Sequence, residues 1–168
     1  MANDVKVQIE FDPALVASYR QIGYENRALE NKDFKDDAKD AGELGSGQSV
    51  TALYEIVPAV GALSGQLATI HLRYKEPGSK ESRQIDAAAI DELKSAYEAS
   101  PDTQFAAAVA EFGMLLRNSR HKGRASYADV AALARAMRGE DMDGYREELI
   151  RMVEASRVIM GEQHVAGR

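Results

Sequence analysis

The spacing of the apolar residues changes between the two halves of this 168-residue chain, and this change constrains the fold most strongly. Alternation places successive side chains on opposite faces of a β-strand, whereas a spacing of three or four places them on one face of an α-helix. Near the N-terminus, Val5, Val7 and Ile9 alternate with Lys6 and Gln8. The second half keeps the helical spacing. We therefore predict an α+β fold with about four antiparallel β-strands followed by about four α-helices.

Four segments of the first half carry the alternating pattern of β-strands. Pro13 and Pro58 end the first and third of them, because proline has no N–H group to donate to a strand ladder. The third segment has apolar residues on both faces, which predicts burial from two sides. If part of that cover lies outside this chain, the chain should expose an apolar patch or self-associate. The predicted strands are residues 5–11, 16–26, 49–57 and 67–74.

The second half carries helix-start signals at four places. Ser100, which a proline follows, and the pattern Ser126-x-x-Asp129 are typical helix starts. Asp86 and Asp143 are candidate caps for two further helices. The helix after Ser100 has a broad apolar stripe, which predicts either a central position in the core or a side that binds a partner. The stripe consists of Phe105, Val109, Phe112, Met114, Leu115 and Leu116.

Length and composition indicate a single α+β domain over residues 4–160 and a frayed tail at residues 161–168. Apolar residues make up 45% of the chain, which argues against disorder. The formal net charge of −6 disfavours nucleic acid as a partner, because phosphates require a basic surface. No apolar run approaches the ~18 residues of a membrane-spanning helix, so we expect no direct membrane insertion. The strand pattern begins almost at the first residue, which indicates a chain cut from a longer protein.

A glycine-rich segment from Gly42 to Ser49 resembles a phosphate-binding loop. It fits G-x-x-x-x-G-K-[ST] except that Gln48 replaces the lysine, whose positive charge contacts the phosphates. An acidic segment precedes it and a predicted strand follows it, whereas the motif requires a strand before and a helix after. We interpret this segment as a flexible turn.

No catalytic centre is recognisable in the sequence. The chain has no cysteine, which excludes disulfides, thiolate metal sites and cysteine nucleophiles. His71, His121 and His164 form no pair at metal-ligand spacing, so we interpret each as structural or solvated. The nucleophile pattern G-x-S-x-G is absent. We predict no enzyme activity, no cofactor and no metal, and we keep a hydrolase with distant carboxylates as an alternative.

Two charged segments are candidate interaction sites. The first lies in the irregular region of residues 28–48, where lysines between the acidic residues favour a solvated connector. A module that binds a ligand or a divalent cation through residues 33–43 is the alternative, although the spacing does not fit an EF-hand. The second is a basic turn at residues 117–124, which could contact an acidic partner or the chain's own acidic segment. The candidate residues are Asp33, Asp36, Asp37, Asp40, Glu43, Arg117, Arg120 and Arg124.

Several blocks of the sequence, taken together, resemble the C-terminal domain of bacterial YfbK-like proteins, which carry a von Willebrand factor type A domain. The blocks are residues 4–13, 19–27, 36–47, 50–55, 72–77 and 105–117. The resemblance implies that a von Willebrand type A domain normally precedes this region. The metal-ion adhesion motif of that domain, D-x-S-x-S, is absent here, so the resemblance transfers no metal ligand.

The resemblance also implies a cellular context without naming a reaction. Members of the family often look exported or lipid-anchored, which implies the cell envelope, and their C-terminal domain has no established activity. We therefore expect a non-catalytic accessory domain that packs on or orients a von Willebrand type A domain and mediates protein–protein contacts.

Overall fold

A computed structural model describes residues 1–24, 30–62 and 64–161, and the chain separates into two compact units, Met1–Leu93 and Lys94–Arg168. The first unit contains the strands and the second contains the helices. The strands are β1 (Ala2–Phe11), β2 (Val16–Ile22), β3 (Gly42–Leu44), β4 (Leu53–Pro58), β5 (Gln66–Lys75) and β6 (Ser82–Ile90). The single domain over residues 4–160 stays a prediction. Residues 25–26 of the second predicted strand and most of the predicted tail lie outside the described residues.

The β unit has two sheets with antiparallel pairing throughout. Four strands form one sheet in the order β3-β1-β5-β6, and β2 pairs with β4 in the other. In the larger sheet, the odd-numbered residues of β1 lie opposite the even-numbered residues of β5 and share one apolar face with the odd-numbered residues of β6. That face has three cross-strand rows: Val7, Leu72 and Ile85; Ile9, Ile70 and Ala87; Phe11, Ala68 and Ala89.

The predicted burial of the third strand on both sides is wrong. β4 begins at Leu53 rather than at residue 49, and it pairs only with β2. No residue of β4 is fully buried, and Val57 is 52% exposed. Tyr54 and Ile56 on one face of β4 are half-buried, whereas Glu55 and Val57 on the other face are exposed, so packing covers one face only. The exposed apolar residues are those expected if part of the cover lies outside this chain.

The helix predicted to begin at Asp86 is also wrong, because this region forms β6. Residues of β6 pair with β5 from Lys75↔Ser82 to Gln66↔Ile90. The run of alanines from Ala87 favours a helix by intrinsic propensity, but pairing with β5 overrides that propensity. A single 3-10 turn, Ala96–Glu98, is the one helical feature between β6 and the first α-helix.

The helical unit contains three α-helices rather than four: α1 (Pro101–Leu116), α2 (Tyr127–Ala136) and α3 (Tyr145–Ile159). Two of the predicted starts are confirmed. The Ser100 hydroxyl accepts the N–H of Thr103 at 3.2 Å, and the Ser126 hydroxyl accepts the N–H of Asp129 at 3.1 Å. The third predicted start, Asp143, is displaced. The carboxylate of Asp141 caps α3 instead.

The core of the helical unit lies where its three helices meet. Phe112 of α1 and Tyr127 of α2 meet edge-on, with ring centroids 6.2 Å apart. Much of the predicted α1 stripe is buried, whereas Val109 and Leu116 are exposed. The core residues are Phe105, Ala108, Phe112, Leu115, Tyr127, Val130, Ala131, Ala134, Ile150 and Val153. None of the helices in the described part of the chain has the length and apolar character needed to cross a membrane.

Candidate functional site

The apolar face of the four-stranded sheet is incompletely covered. At one end, Phe11 stacks on Tyr19 with ring centroids 4.1 Å apart, and Tyr54 lies 5.7 Å away. At the other end, Val7 is 54% exposed and Ile85 is 53% exposed. Large apolar side chains that lie together in the solvent are typical of surfaces that bind another protein. We call the three cross-strand rows defined above the open face.

The opposite, polar face of the same sheet is covered by the acidic segment of residues 33–43. Phe34 anchors this segment and is only 3% exposed. Its ring lies 6.3 Å from the ring of His71 and 6.0 Å from the guanidinium of Arg73. Phe34 therefore attaches the segment to the sheet. Eight of the eleven residues 33–43 are exposed, so the prediction of a solvated connector is confirmed for most of the segment and wrong at Phe34. One apolar side chain among the charges was the signal for this contact.

Lys6, which the strand pattern places on the polar face of β1, holds the acidic segment against the sheet. Its side chain is 5% exposed. The Nζ atom donates to the backbone oxygen of Asp33 at 3.3 Å and also to the backbone oxygen of Asp36. A buried ammonium group is stable only when its donors are paired, and here carbonyl groups of the acidic segment supply the partners. Strand alternation alone could not reveal that another segment would cover this face.

Asp37 is the most strongly bonded carboxylate of the acidic segment. Its Oδ1 accepts from the Ser82 hydroxyl at 2.5 Å and from Arg73 Nη2 at 2.8 Å. These bonds, with Ser82 contributing most, lower the pKa of Asp37 to about 2. Lys75 Nζ donates to the backbone oxygen of Asp37 at 2.7 Å. Asp37 therefore joins the acidic segment to β5 and β6.

A bulge in β1 brings Asp4 into the same network. The strand register shifts between Asn3 and Lys6, and Asp4 adopts a φ of +51°. A bulge redirects a side chain that would otherwise follow the strand alternation. The Asp4 carboxylate accepts from Lys75 Nζ at 2.7 Å and from the N–H of Ala41 at 3.2 Å, and both bonds lower its pKa. The far end of the acidic segment is thus also attached to the sheet.

The remaining acidic candidates do not converge on a common point. Asp33 pairs with Lys39 at 3.4 Å, and Asp36 accepts the N–H of Ala38 at 2.9 Å. Asp40 lines a groove, and Glu43 is exposed in β3. Among the described residues, no three His, Asp or Glu side chains are placed so that they could hold a metal ion. The acidic segment serves mainly as a cover for the polar face of the sheet.

A groove of about 670 Å³ runs between β1 and the two-stranded sheet. Its walls include Val7 and Tyr19, which are exposed, and Tyr54. Burial raises the pKa of Tyr54, so this phenol stays protonated in the neutral range. Lys6 also lines the groove, but its ammonium group is bonded to backbone oxygens. The groove offers apolar contact area, and charged residues such as Arg20, Glu30 and Asp40 also line it.

Residues 45–48 of the glycine-rich segment form a turn, as the sequence predicted, whereas its first residues, Gly42–Leu44, form strand β3. The N–H of Gly45 donates to Oε1 of Gln48 at 2.8 Å, so the residue that replaces the lysine of a phosphate loop closes the turn on itself. Gly47 has a φ of +76°, which glycine adopts at little cost. A strand follows this segment rather than a helix. The segment therefore lacks the helix N-terminus that would bind phosphate.

The two histidines that the structure describes, His71 and His121, each contact neighbouring side chains. Nδ1 of His71 lies 2.8 Å from Oδ1 of Asp86, and Nε2 lies 3.6 Å from Oε2 of Glu10. These contacts link β1, β5 and β6, and the hydrogen bond with His71 lowers the pKa of Asp86. His121 accepts a bond from Arg120 Nε at 3.0 Å. His164 lies outside the described residues.

The basic turn belongs to the helical unit and follows α1. Its arginines Arg117, Arg120 and Arg124 are exposed. Lys122 Nζ donates to Asn118 Oδ1 at 2.6 Å, which stiffens the turn. The turn presents positive charge to solvent, and its role as an interaction site stays a prediction.

The elements form an α+β protein with two antiparallel sheets followed by three α-helices. The chain matches the family described as "Uncharacterized protein YfbK, C-terminal" over residues 1–65 and 59–159, and it belongs to that family. The resemblance seen in the sequence blocks is thereby confirmed.

A curated relative gives the same family assignment. The "Uncharacterized protein YfbK" of Escherichia coli strain K12 is 36% identical over 177 residues, which cover 92% of this chain. The matched region covers only 29% of that relative's length. No solved structure matches the chain.

Proposed function

We propose that this chain is a non-catalytic accessory domain that packs on a von Willebrand factor type A domain and mediates protein–protein contacts. The observation that carries the proposal is the open face, an apolar sheet surface whose opposite side the acidic segment covers in part. Burial of an apolar side chain such as Val7 contributes about 1.5–3 kcal/mol, so such a face favours association with a second surface. The family context supplies the partner, because the resemblance implies a von Willebrand type A domain upstream.

The polar groups of the β unit support a non-catalytic role. Lys6, Asp37 and His71 each bond to neighbouring groups of the same unit. A catalytic group must reach substrate and must change its protonation or bonding there. Groups that hold a segment against a sheet lose that contact when they act on something else. The arrangement therefore favours a structural use of these side chains.

The test measures binding of this chain to a von Willebrand type A domain from the same family by titration calorimetry. The variant Val7→Lys places a charge on the open face and should weaken binding at least about tenfold, since a buried apolar contact is lost and a charge is desolvated. The matched control is Gln8→Lys on the opposite face of β1. Gln8 donates to Asn31 Oδ1, and a lysine can keep that bond.

Absence of binding by the unsubstituted chain would refute the proposal. Equal weakening by Val7→Lys and Gln8→Lys would place the contact elsewhere and would remove the open face as its basis. Circular dichroism of both variants verifies that the sheet is retained.

A further inference from the structure

β6 is an edge strand with few of the features that protect such edges. It ends the four-stranded sheet, and β5 is its single strand neighbour within the described chain. Seven of its nine residues are exposed, and Ile85 and Ile90 are large apolar side chains among them. Natural edge strands are usually short, contain proline or lysine, or are bulged. β6 is nine residues long and has neither proline nor lysine. It carries two charged residues, Arg83 and Asp86, and the register shift of its pair with β5 lies at the far end, between Gln66 and Ala68.

Hydrogen bonds alternate along each strand, and this alternation shows which N–H and C=O groups of β6 point away from the sheet. Asp12 N donates to Leu67 O at 2.9 Å, so the odd-numbered residues of β5 bond to β1 and the even-numbered residues bond to β6. The even-numbered residues of β5 therefore bond to the odd-numbered residues of β6, as Ile70 does to Ala87. The even-numbered residues Gln84 and Ala88 therefore direct their N–H and C=O groups away from the sheet.

A second copy of β6 fits this edge in one favoured register. Antiparallel pairing about a two-fold axis at Ala87 places that residue opposite itself, and it places Ile85 opposite Ala89 of the other copy. The three rows of the open face then continue without interruption across both sheets. Arg83 falls opposite Asp91 of the other copy, so two pairs of opposite charges flank the contact. A register centred one residue earlier would place Asp86 opposite its own copy, which is unfavourable.

We propose that β6 pairs with β6 of a second copy about this axis, which joins two four-stranded sheets into one. The partner is this same chain, since the edge is self-complementary in shape, in apolar rows and in charge. The inference does not depend on the proposed contact with a von Willebrand type A domain, because the β6 edge can pair whatever covers the open face.

Sedimentation of the full chain from about 1 to about 200 µM tests the proposal. The expected species at high concentration has twice the 18.3 kDa of the chain. Ala87→Lys and Ala87→Glu should each weaken the dimer at least about tenfold, since like charges would lie directly opposite each other. An equimolar mixture of the two variants should dimerise again. The matched control is Ala88→Lys, which faces Asp86 of the other copy and should retain the dimer.

A monomer at every concentration would overturn the proposal, as would a dimer that both Ala87 variants leave intact. A charge exchange provides an independent check if the Ala87 variants fold poorly. Arg83→Asp alone and Asp91→Arg alone should each weaken the dimer several-fold, and their mixture should restore it. Failure of the mixture to dimerise would exclude this register.

Discussion

The helical unit and the β unit are stabilised in different ways. In the helical unit, ten buried side chains from three helices form one cluster. In the described part of the β unit, the buried apolar residues are Val16, Phe34 and Ala68, and one buried residue is the charged Lys6. The β unit depends on strand pairing and on bonds between the acidic segment and the sheet. The β unit leaves apolar side chains of a sheet face exposed, and the helical unit, although it has a closed core, also exposes large apolar side chains such as Val158 and Ile159 at the end of α3.

The largest expected effect is a loss of stability in the helical unit, whose core is closed. Phe112→Ala should lower the free energy of unfolding by about 3–5 kcal/mol, because it removes a buried ring and leaves a cavity beside Tyr127. Urea unfolding followed by far-ultraviolet circular dichroism measures the change. The control is Leu116→Ala on the exposed side of α1, with an expected change within about 0.5 kcal/mol. Equal losses in both variants would show that the helical core is not where the structure places it.

The second effect concerns the polar anchor of the β unit. Lys6→Met should cost about 1–3 kcal/mol, because the backbone oxygens of Asp33 and Asp36 lose their buried donor. Hydrogen exchange should then become faster in residues 31–41, while the helical unit keeps its protection. Lys35→Met in the same segment is the control, since Lys35 is exposed. Unchanged exchange in the Lys6 variant would contradict the anchoring role.

A smaller effect is expected at the start of α2. Ser126→Ala removes the acceptor for the N–H of Asp129 and should lower the free energy of unfolding by about 1 kcal/mol. Ser126→Thr keeps a hydroxyl cap and should lie close to the unsubstituted chain. Thermal unfolding compares the three proteins. If the alanine and threonine variants were equally stable, the cap would contribute nothing measurable.

The smallest effect is a pH dependence in the β unit. The pKa of Asp37 is about 2, below its usual value of 3.8. Its bonds to Ser82 and Arg73 therefore stabilise the fold fully above pH 3.8, and that contribution is lost as the pH falls towards 2. An NMR titration of the side-chain carboxyl carbons measures this directly. In Asp37→Asn, the pH-dependent change in the NMR signals of Ser82 that accompanies this titration should vanish. Titration of Asp37 near 4 would contradict the bonded geometry.

Local signals in the sequence predicted those elements that local interactions decide. The caps at Ser100 and Ser126 were identified because a side-chain hydroxyl and a nearby N–H group lie within one turn. The turn at Gly47 was identified from another local signal, its glycine and serine residues. β6 was not identified, because its alanines carry a weak apolar signal and Asp86 resembles a helix cap. Pairing with β5, which lies elsewhere in the sequence, decides its conformation.

For the candidate sites, too, the sequence predicted features that depend on neighbouring residues and missed those that depend on distant ones. The sequence has no recognisable catalytic motif, and the absence of enzyme activity stays a prediction. The bonds of Asp37 could not be predicted, because its partners Arg73 and Ser82 are far away in sequence and come close only through the strand register. Lys6 was placed on the polar face correctly, but its burial depends on a segment that folds over that face. Phe34 provided the one hint, as an isolated aromatic residue among charges.

The sequence by itself determined the class of fold, the family and the sides of most strands and helices, because alternation and capping depend on neighbours along the chain. Only the tertiary structure decided that the acidic segment covers the polar face and that the apolar face and the edge of β6 remain accessible. Those outcomes depend on which distant segments meet, and no local pattern encodes the completed register of a sheet.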